Sequence, residues 1–185
     1  MTWQSDLENE FRGIILNGFY DNVLEGNQAK ELIKVLLEKS GYLVLPYGYE
    51  NTLSGLISKL GVRDTKKSRT VRRIKSSPDL LVYDEKKKDL MLVEVKMRKA
   101  PEETRIFLEP QRIVNYKEFW NDSILVIVIP CGDEFYAQRV CELEIKEEYN
   151  ALLDFEKFQN IFTEVKDDDI SHFKAKALQI MRKQS

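Results

Sequence analysis

The sequence predicts a single-domain α/β protein in which short strands are flanked by amphipathic helices. Several apolar runs have the length of strands, and other segments repeat apolar residues at the spacing of a helix face. The chain has 185 residues, of which 43% are hydrophobic and 32% are charged. This size and composition are typical of one soluble globular domain, so we expect residues 1–185 to form a single unit.

The first core element is a helix over Asn27–Lys39, followed by a strand. Apolar or small residues recur on one face of the helix, at Ala29, Leu32, Ile33, Leu36 and Leu37. Gly41 lies just beyond this stripe and is typical of the residue that follows a helix. The apolar run Tyr42–Leu45 then predicts the first strand.

Two adjacent strands are predicted in the middle of the chain. The apolar runs Leu80–Tyr83 and Leu90–Met97 are separated by the charged turn Asp84–Asp89. A helix over Pro110–Trp120 and a buried strand over Ile124–Ile129 follow. The core therefore has the order helix, strand, strand, strand, helix, strand.

Further helices are predicted outside this core, over Asp6–Leu16, Leu53–Leu60 and Ile170–Met181. The apolar and aromatic residues between Asn150 and Phe162 suit a C-terminal helical layer at about residues 150–183. The same residues could instead form a dimer surface, and core packing is the use we favour.

The residues that can carry chemistry lie at the ends of the two central strands. Asp79 follows Pro78 directly before the first of them, and Glu94-Val95-Lys96 lies in the second. Side chains alternate along a strand, so Glu94 and Lys96 share a face. Two carboxylates suit Mg²⁺, which can activate a water for phosphodiester hydrolysis, and the lysine can position that water or stabilise the transition state.

Acid-x-lysine triplets also occur elsewhere in the chain, so the triplet alone is weak evidence for a catalytic site. Glu144-Ile145-Lys146, Glu164-Val165-Lys166 and the segment Asp84–Lys87 all contain them. Glu94 differs because two strand-like runs separated by a turn surround it. Glu144 has Asp133 upstream without a clear turn and remains a minor competitor. The alternative explanation of Glu94 and Lys96 is an ion pair on a solvated strand.

Ser77-Pro78-Asp79-Leu80-Leu81 together with Glu94-Val95-Lys96 resembles the PD-(D/E)xK nuclease superfamily, which has the restriction-endonuclease-like fold. The resemblance covers about Gly26 to Pro130. It implies an αβββαβ core in which helices flank a central mixed sheet, with the N- and C-terminal helices as additions.

The resemblance also implies a metal-dependent DNA endonuclease. Asp79, Glu94 and the Val95 carbonyl would hold Mg²⁺, for which Mn²⁺ would substitute, and Lys96 would serve the attacking water. Glu31 matches the glutamate that the family's first helix commonly carries, although an ordinary solvated helix residue is the alternative. The alternative function is a catalytically inactive DNA-binding or assembly subunit that retains the nuclease fold.

A basic segment leads into Pro78-Asp79 and contains Arg63, Lys66, Lys67, Arg69, Arg72, Arg73 and Lys75. Lysine and arginine contacts to phosphate dominate nucleic-acid affinity, so we predict a loop that binds DNA. A solvated linker is the alternative. Some family members carry a glutamine and a tyrosine on the second core helix. Gln111 and Tyr116 are spaced one residue too far apart for that pattern, and only Gln111 is assigned to the DNA surface.

The net charge of −2 argues against a protein that coats nucleic acid over its whole surface, so DNA binding should be confined to one face. The sequence has neither a membrane-spanning stretch nor the features of a signal peptide, and we expect a cytoplasmic protein. Cys131 and Cys141 suit neither a disulfide framework nor a zinc site. His172 is expected on a helix surface. A homodimer would suit a nuclease that cuts two strands.

Overall fold

The order of helices and strands agrees with the sequence prediction through the core. The structure is a computed structural model that describes residues 26–48, 68–98, 105–129, 135–146, 150–151 and 154–182. The predicted helices over Asp6–Leu16 and Leu53–Leu60 lie outside these residues, as do Lys66, Lys67 and Cys131.

The described helices are α1 (26–39), α2 (Arg69–Lys75), α3 (Pro110–Phe119), α4 (Phe158–Ile161) and α5 (Asp167–Arg182). The strands are β1 (Leu43–Pro46), β2 (Leu80–Asp84), β3 (Asp89–Met97), β4 (Arg105–Ile106), β5 (Ile124–Val128), β6 (Tyr136–Arg139), β7 (Asn150–Ala151) and β8 (Glu156–Lys157). A short 3₁₀ helix, Val140–Glu142, follows β6.

Six strands form one mixed sheet in the order β1-β2-β3-β5-β6-β8. β3 and β5 are parallel, while the other neighbouring pairs are antiparallel. The parallel pair is joined through α3, as expected for strands that need a long crossover connection. α1, β1, β2, β3, α3 and β5 give the predicted αβββαβ order. The predicted α/β fold class is confirmed.

Two apolar clusters cover the two faces of the sheet. The first joins the buried stripe of α1, which includes Ile33 and Leu36, to the sheet and to Phe173 of α5. The second joins Ile113 and Tyr116 of α3 to the opposite face of β5. Successive residues of a strand therefore contact different clusters, one on the α1 side of the sheet and one on the α3 side. The candidate glutamate, Glu94, lies on the α3 side.

α1 ends as predicted. Gly41 has φ +94°, a left-handed conformation that glycine adopts without a Cβ penalty. The backbone amide of Tyr42 donates to the Leu37 carbonyl at 3.1 Å, which closes the helix end and starts β1.

Two sequence predictions about local structure are wrong. Arg69–Lys75 forms a helix rather than a loop, and the Ser68 side chain accepts a hydrogen bond from the Val71 amide as its N-cap. The segment from Asn150 to Phe162 contains β7, β8 and one short helix rather than a helical layer. Its Phe155 and Phe158 are nevertheless buried, which confirms the preference for core packing.

The late helix and the position of His172 agree with the sequence prediction. α5 begins three residues before the predicted Ile170, and His172 is exposed on it. Cys141 is an exposed free thiol. None of the helices in the described ranges combines the length and the apolar character needed to cross a bilayer.

Candidate active site

The register of β2 and β3 brings the two predicted carboxylates together. Leu80 pairs with Val93 in this antiparallel ladder, and Asp79, directly before Leu80, accepts a hydrogen bond from the backbone amide of Val95. Asp79 is also close enough to Glu94 to raise the pKa of that carboxyl. The short charged turn between the strands fixes this register, so the hairpin itself assembles the acidic pair.

Both oxygens of the Asp79 carboxylate have partners. Oδ2 accepts a hydrogen bond from the backbone amide of Val95 at 2.9 Å. Oδ1 lies 2.8 Å from the Lys30 ammonium, which α1 supplies. The Asp79 side chain is 10% exposed, so the carboxylate is held against β3 but remains partly accessible to solvent at the end of β2.

Glu94 is the most deeply buried acid of the site, with 4% of its surface exposed. Its Oε1 accepts a hydrogen bond from the Tyr116 hydroxyl at 2.7 Å and forms an ion pair with Lys96. Burial raises the pKa of Glu94, and the nearby Asp79 raises it further, whereas the Lys96 ammonium lowers the pKa. Lys96 therefore helps to keep a desolvated carboxylate ionised.

Tyr116 holds Glu94 in place from α3. Burial raises the pKa of its hydroxyl, and the Glu94 carboxylate adds to that rise. The hydroxyl therefore stays protonated and acts as a hydrogen-bond donor. Because both described contacts of Glu94 fall on Oε1, they leave Oε2 as the oxygen available to a cation.

The donor chemistry fits a hard divalent cation. Asp79, Glu94 and the Val95 carbonyl offer oxygen ligands only, and Mg²⁺ commonly takes one or two carboxylates while it keeps several waters. The described residues contain no group of three or more histidine, cysteine, aspartate or glutamate side chains that could form a fuller metal cage. Such oxygen ligands suit Mg²⁺ and Mn²⁺, whereas thiolate and imidazole ligands suit softer metals.

The structure does not bring Glu31 to this pair. Its side chain is 64% exposed and lies 3.5 Å from Lys34 on the outer face of α1. Successive helix residues are rotated by about 100°, so the neighbouring Lys30 is the residue that reaches Asp79. The expected helix glutamate is thus replaced at the site by a cation.

α2 carries the described part of the basic segment and packs beside α3. Arg69 Nε and Arg72 Nη1 each lie 3.2 Å from a different oxygen of Glu118. Both guanidinium groups also lie over the Phe119 ring, with centroid distances of 5.6 and 5.4 Å. These cations dock α2 on the end of α3.

The other cations of α2 lie at the surface. Arg73 and Lys75 are exposed, and the Arg73 guanidinium lies 5.3 Å from the centroid of a Trp120 ring. Trp120 in turn donates from its indole nitrogen to the Arg73 carbonyl at 3.2 Å. Gln111 is exposed on the first turn of α3 and donates to Asn115 at 3.4 Å.

The competing triplets lie away from the sheet face that carries Glu94. Lys146 follows the 3₁₀ helix and is paired with Asp154 and Glu144. Glu164 forms a surface ion pair with Lys86. Neither triplet lies in a strand of the six-stranded sheet, whereas Glu94 and Lys96 lie in β3.

The residues of the candidate site lie at defined places in the core. Asp79 directly precedes β2, Glu94 lies in β3, and Lys96 follows two residues later on the same face as Glu94. The αβββαβ order of this core is the order that the resemblance in the sequence implied.

Comparisons with known proteins add a structural likeness. No family model matches the sequence, and no curated protein matches it. Among solved structures, the chain is similar to Hjc, a Holliday junction resolvase from the archaeal hyperthermophile Archaeoglobus fulgidus. The TM-score is 0.46 at 15% identity, covering 74% of this chain and 93% of that one. A likeness of this degree does not transfer a function, so the evidence for function is the geometry of the site.

Sequence reasoning missed Lys30 and Tyr116. The stripe of Ala29 and Ile33 could have shown that position 30 borders the buried face of α1. The sequence pattern excludes Tyr116, because it lies one residue further from Gln111 than the glutamine-tyrosine pattern requires. Its separation of three from the buried Ile113 was the signal that it faces the sheet.

Proposed function

We propose that the chain is a divalent-metal-dependent DNA endonuclease. The observation that carries this proposal is the proximity of two carboxylates and a lysine: Asp79, directly before β2, accepts a hydrogen bond from Val95 beside Glu94, and Lys96 forms an ion pair with Glu94. Two neighbouring carboxylates and an adjacent ammonium are groups that suit metal-assisted phosphodiester hydrolysis. A surface ion pair alone would not need a desolvated glutamate with a tyrosine donor.

Each residue has a distinct role in this proposal. Asp79, Glu94 and the Val95 carbonyl would hold the metal ion. When bound, that ion would lower the pKa of a water and offset negative charge on the scissile phosphate. Lys96, whose side chain is 17% exposed, would orient the attacking water or stabilise developing charge. Tyr116 would keep Glu94 in the orientation that binding needs.

The basic face would hold the nucleic-acid backbone. Arg69, Arg72, Arg73 and Lys75 of α2 lie just before Asp79 in the chain. Lys66, Lys67 and Gln111 are assigned to DNA binding from the sequence alone. Contacts from such side chains to phosphate position a duplex without reading its sequence. Because the net charge is −2, this local cluster would account for most of the affinity.

The proposal is tested by a cleavage assay with labelled DNA. Linear, nicked, flapped and four-way branched substrates are each incubated with Mg²⁺, Mn²⁺ or EDTA. We expect cleavage of at least one substrate with either ion and none with EDTA. Binding without cleavage of any substrate, in either ion, would favour the inactive DNA-binding or assembly subunit.

Lys96→Ala is expected to reduce the cleavage rate by about a hundredfold or more, since the loss of one electrostatic group that acts in the transition state has this effect. The matched control is Lys146→Ala, which removes the lysine of the competing triplet on the surface. Single-turnover rates at saturating enzyme measure both variants. A wild-type rate for Lys96→Ala with a slow Lys146→Ala would show that the wrong triplet has been chosen.

Tyr116→Phe is expected to lower cleavage by about 10- to 100-fold, because it removes the hydroxyl that orients a metal ligand while the ring continues to fill its place in the core. The half-saturating Mn²⁺ concentration should rise as well. Tyr83→Phe is the control, since Tyr83 lies in β2 at the opposite end of the hairpin. Equal rates and equal Mn²⁺ dependence in the two variants would contradict the assigned role of Tyr116.

A further inference from the structure

Lys30 occupies a defined position at the site. Its neighbours Ala29 and Ile33 are buried in the first apolar cluster and fix the rotation of α1 against the sheet. The Lys30 ammonium lies 2.8 Å from Asp79 Oδ1, and its side chain is 27% exposed. The stem is therefore held by the helix while the charged end remains close to solvent.

The charges of the site balance in pairs. Asp79 is paired with Lys30, and Glu94 is paired with Lys96. Because the Val95 amide already donates to Asp79 Oδ2, the ammonium of Lys30 lies on the other oxygen. A cation that binds Asp79 Oδ1 must compete with this ammonium for the same negative charge.

We propose that Lys30 competes with a divalent cation for Asp79 and binds a phosphate of the nucleic acid when it leaves that carboxylate. This inference rests on the proposed nuclease function. An ammonium on a flexible stem can exchange one anionic oxygen for another, and a phosphate close to Asp79 supplies the replacement. Metal and DNA then bind with positive coupling, since each binds better once the other has drawn Lys30 and Asp79 apart.

The first test measures Mn²⁺ binding to the protein alone by electron paramagnetic resonance of the free ion. Lys30→Met keeps the length and the apolar stem of the side chain but removes its charge. Opposite charges at this range change the affinity of a carboxylate for a cation by about tenfold or more. We therefore expect Lys30→Met to bind Mn²⁺ about tenfold more tightly than the unaltered chain.

Lys34→Met is the matched control. It makes the same substitution one turn along α1, where Lys34 contacts the exposed Glu31 and has a similar exposed fraction of 25%. Its Mn²⁺ affinity should equal that of the unaltered chain. Unchanged or weaker Mn²⁺ binding by Lys30→Met would overturn the proposal, because a merely structural ion pair would not hold off the metal.

The second test measures affinity for duplex DNA in the presence of Mn²⁺, with Glu94→Gln as the background, which prevents cleavage and leaves the Asp79–Lys30 ion pair in place. Adding Lys30→Met should weaken binding and lower the slope of log affinity against log salt by about 0.9, the value for one phosphate contact. An unchanged slope would overturn the phosphate-binding half. Mn²⁺ binding is measured on the protein alone, so its result does not depend on whether the unaltered chain cleaves DNA. The cleavage assay tests the nuclease function separately.

Discussion

Replacing Glu94 with glutamine is expected to abolish DNA cleavage while leaving DNA affinity in EDTA nearly unchanged. The amide keeps the shape of the side chain and can still accept the hydrogen bond from Tyr116. It lacks the negative charge that a divalent cation requires from a ligand. Asp79→Asn, and the alanine variants of both residues, should also abolish cleavage without weakening DNA binding, because each carboxylate serves chemistry more than docking. Loss of the Asp79 charge also frees Lys30, so the Asp79 variants should bind DNA at least as tightly as the unaltered chain.

The measurement is a pair of assays on each variant: single-turnover cleavage with Mg²⁺ or Mn²⁺, and duplex binding in EDTA by fluorescence anisotropy. Glu144→Gln is the control, since Glu144 belongs to the surface triplet with Lys146. Loss of DNA affinity in proportion to loss of cleavage would show that the acids act in folding or docking instead.

Folding needs a separate check for Glu94→Gln. Glu94 is almost completely buried beside Lys96, and removal of one partner of a buried ion pair commonly costs about 3–5 kcal/mol of stability. Thermal unfolding therefore accompanies the assays. Asp79→Asn provides a second acid variant, at a position where the native carboxylate is more exposed than that of Glu94 and pairs with Lys30 of α1 instead of a lysine of β3.

Regular patterns made the core predictable from the sequence. The apolar residues of α1 recur at the spacing of a helix face, and the apolar runs of β2 and β3 have the length of strands. The apolar face of α1 and alternate residues of both strands are buried in the structure. β6, with the sequence Tyr-Ala-Gln-Arg, has no comparable alternation. Pairing with β5 determines its conformation, and such a tertiary contact leaves little trace in local sequence.

The site shows the same division. The alternation of side chains along a strand was enough to place Glu94 and Lys96 on one face of the sheet. The hairpin was enough to bring Asp79 close to Val95 and Glu94. Helix rotation demands more, since an error of one residue turns a side chain by about 100° and exchanges Lys30 for Glu31. The helix in the basic segment was also difficult to predict. Its many charges suggested a loop, although Val71 and Ile74 are three residues apart, a spacing that suits one face of a helix.

Alanine at Arg69, Arg72 and Arg73 together is expected to weaken DNA binding to a similar degree for all sequences. If each side chain contacts one phosphate, the slope of log affinity against log salt should fall by about 0.9 per residue, or by about three units in total. Binding is measured in EDTA between 50 and 200 mM salt, roughly the range over which such contacts dominate. An unchanged slope would mean that DNA enters by another face, such as the surface of α3 that bears Gln111.

Glu118→Gln separates phosphate contact from helix docking. Glu118 neutralises Arg69 and Arg72 in the structure, so a phosphate must displace its carboxylate to reach them. If the arginines bind DNA, removing this competitor should strengthen binding, the opposite of the effect of the triple alanine variant. If the arginines serve only to dock α2 on α3, Glu118→Gln breaks the same ion pairs and both variants should weaken binding. The sign of the Glu118→Gln effect therefore decides what the cations of α2 do.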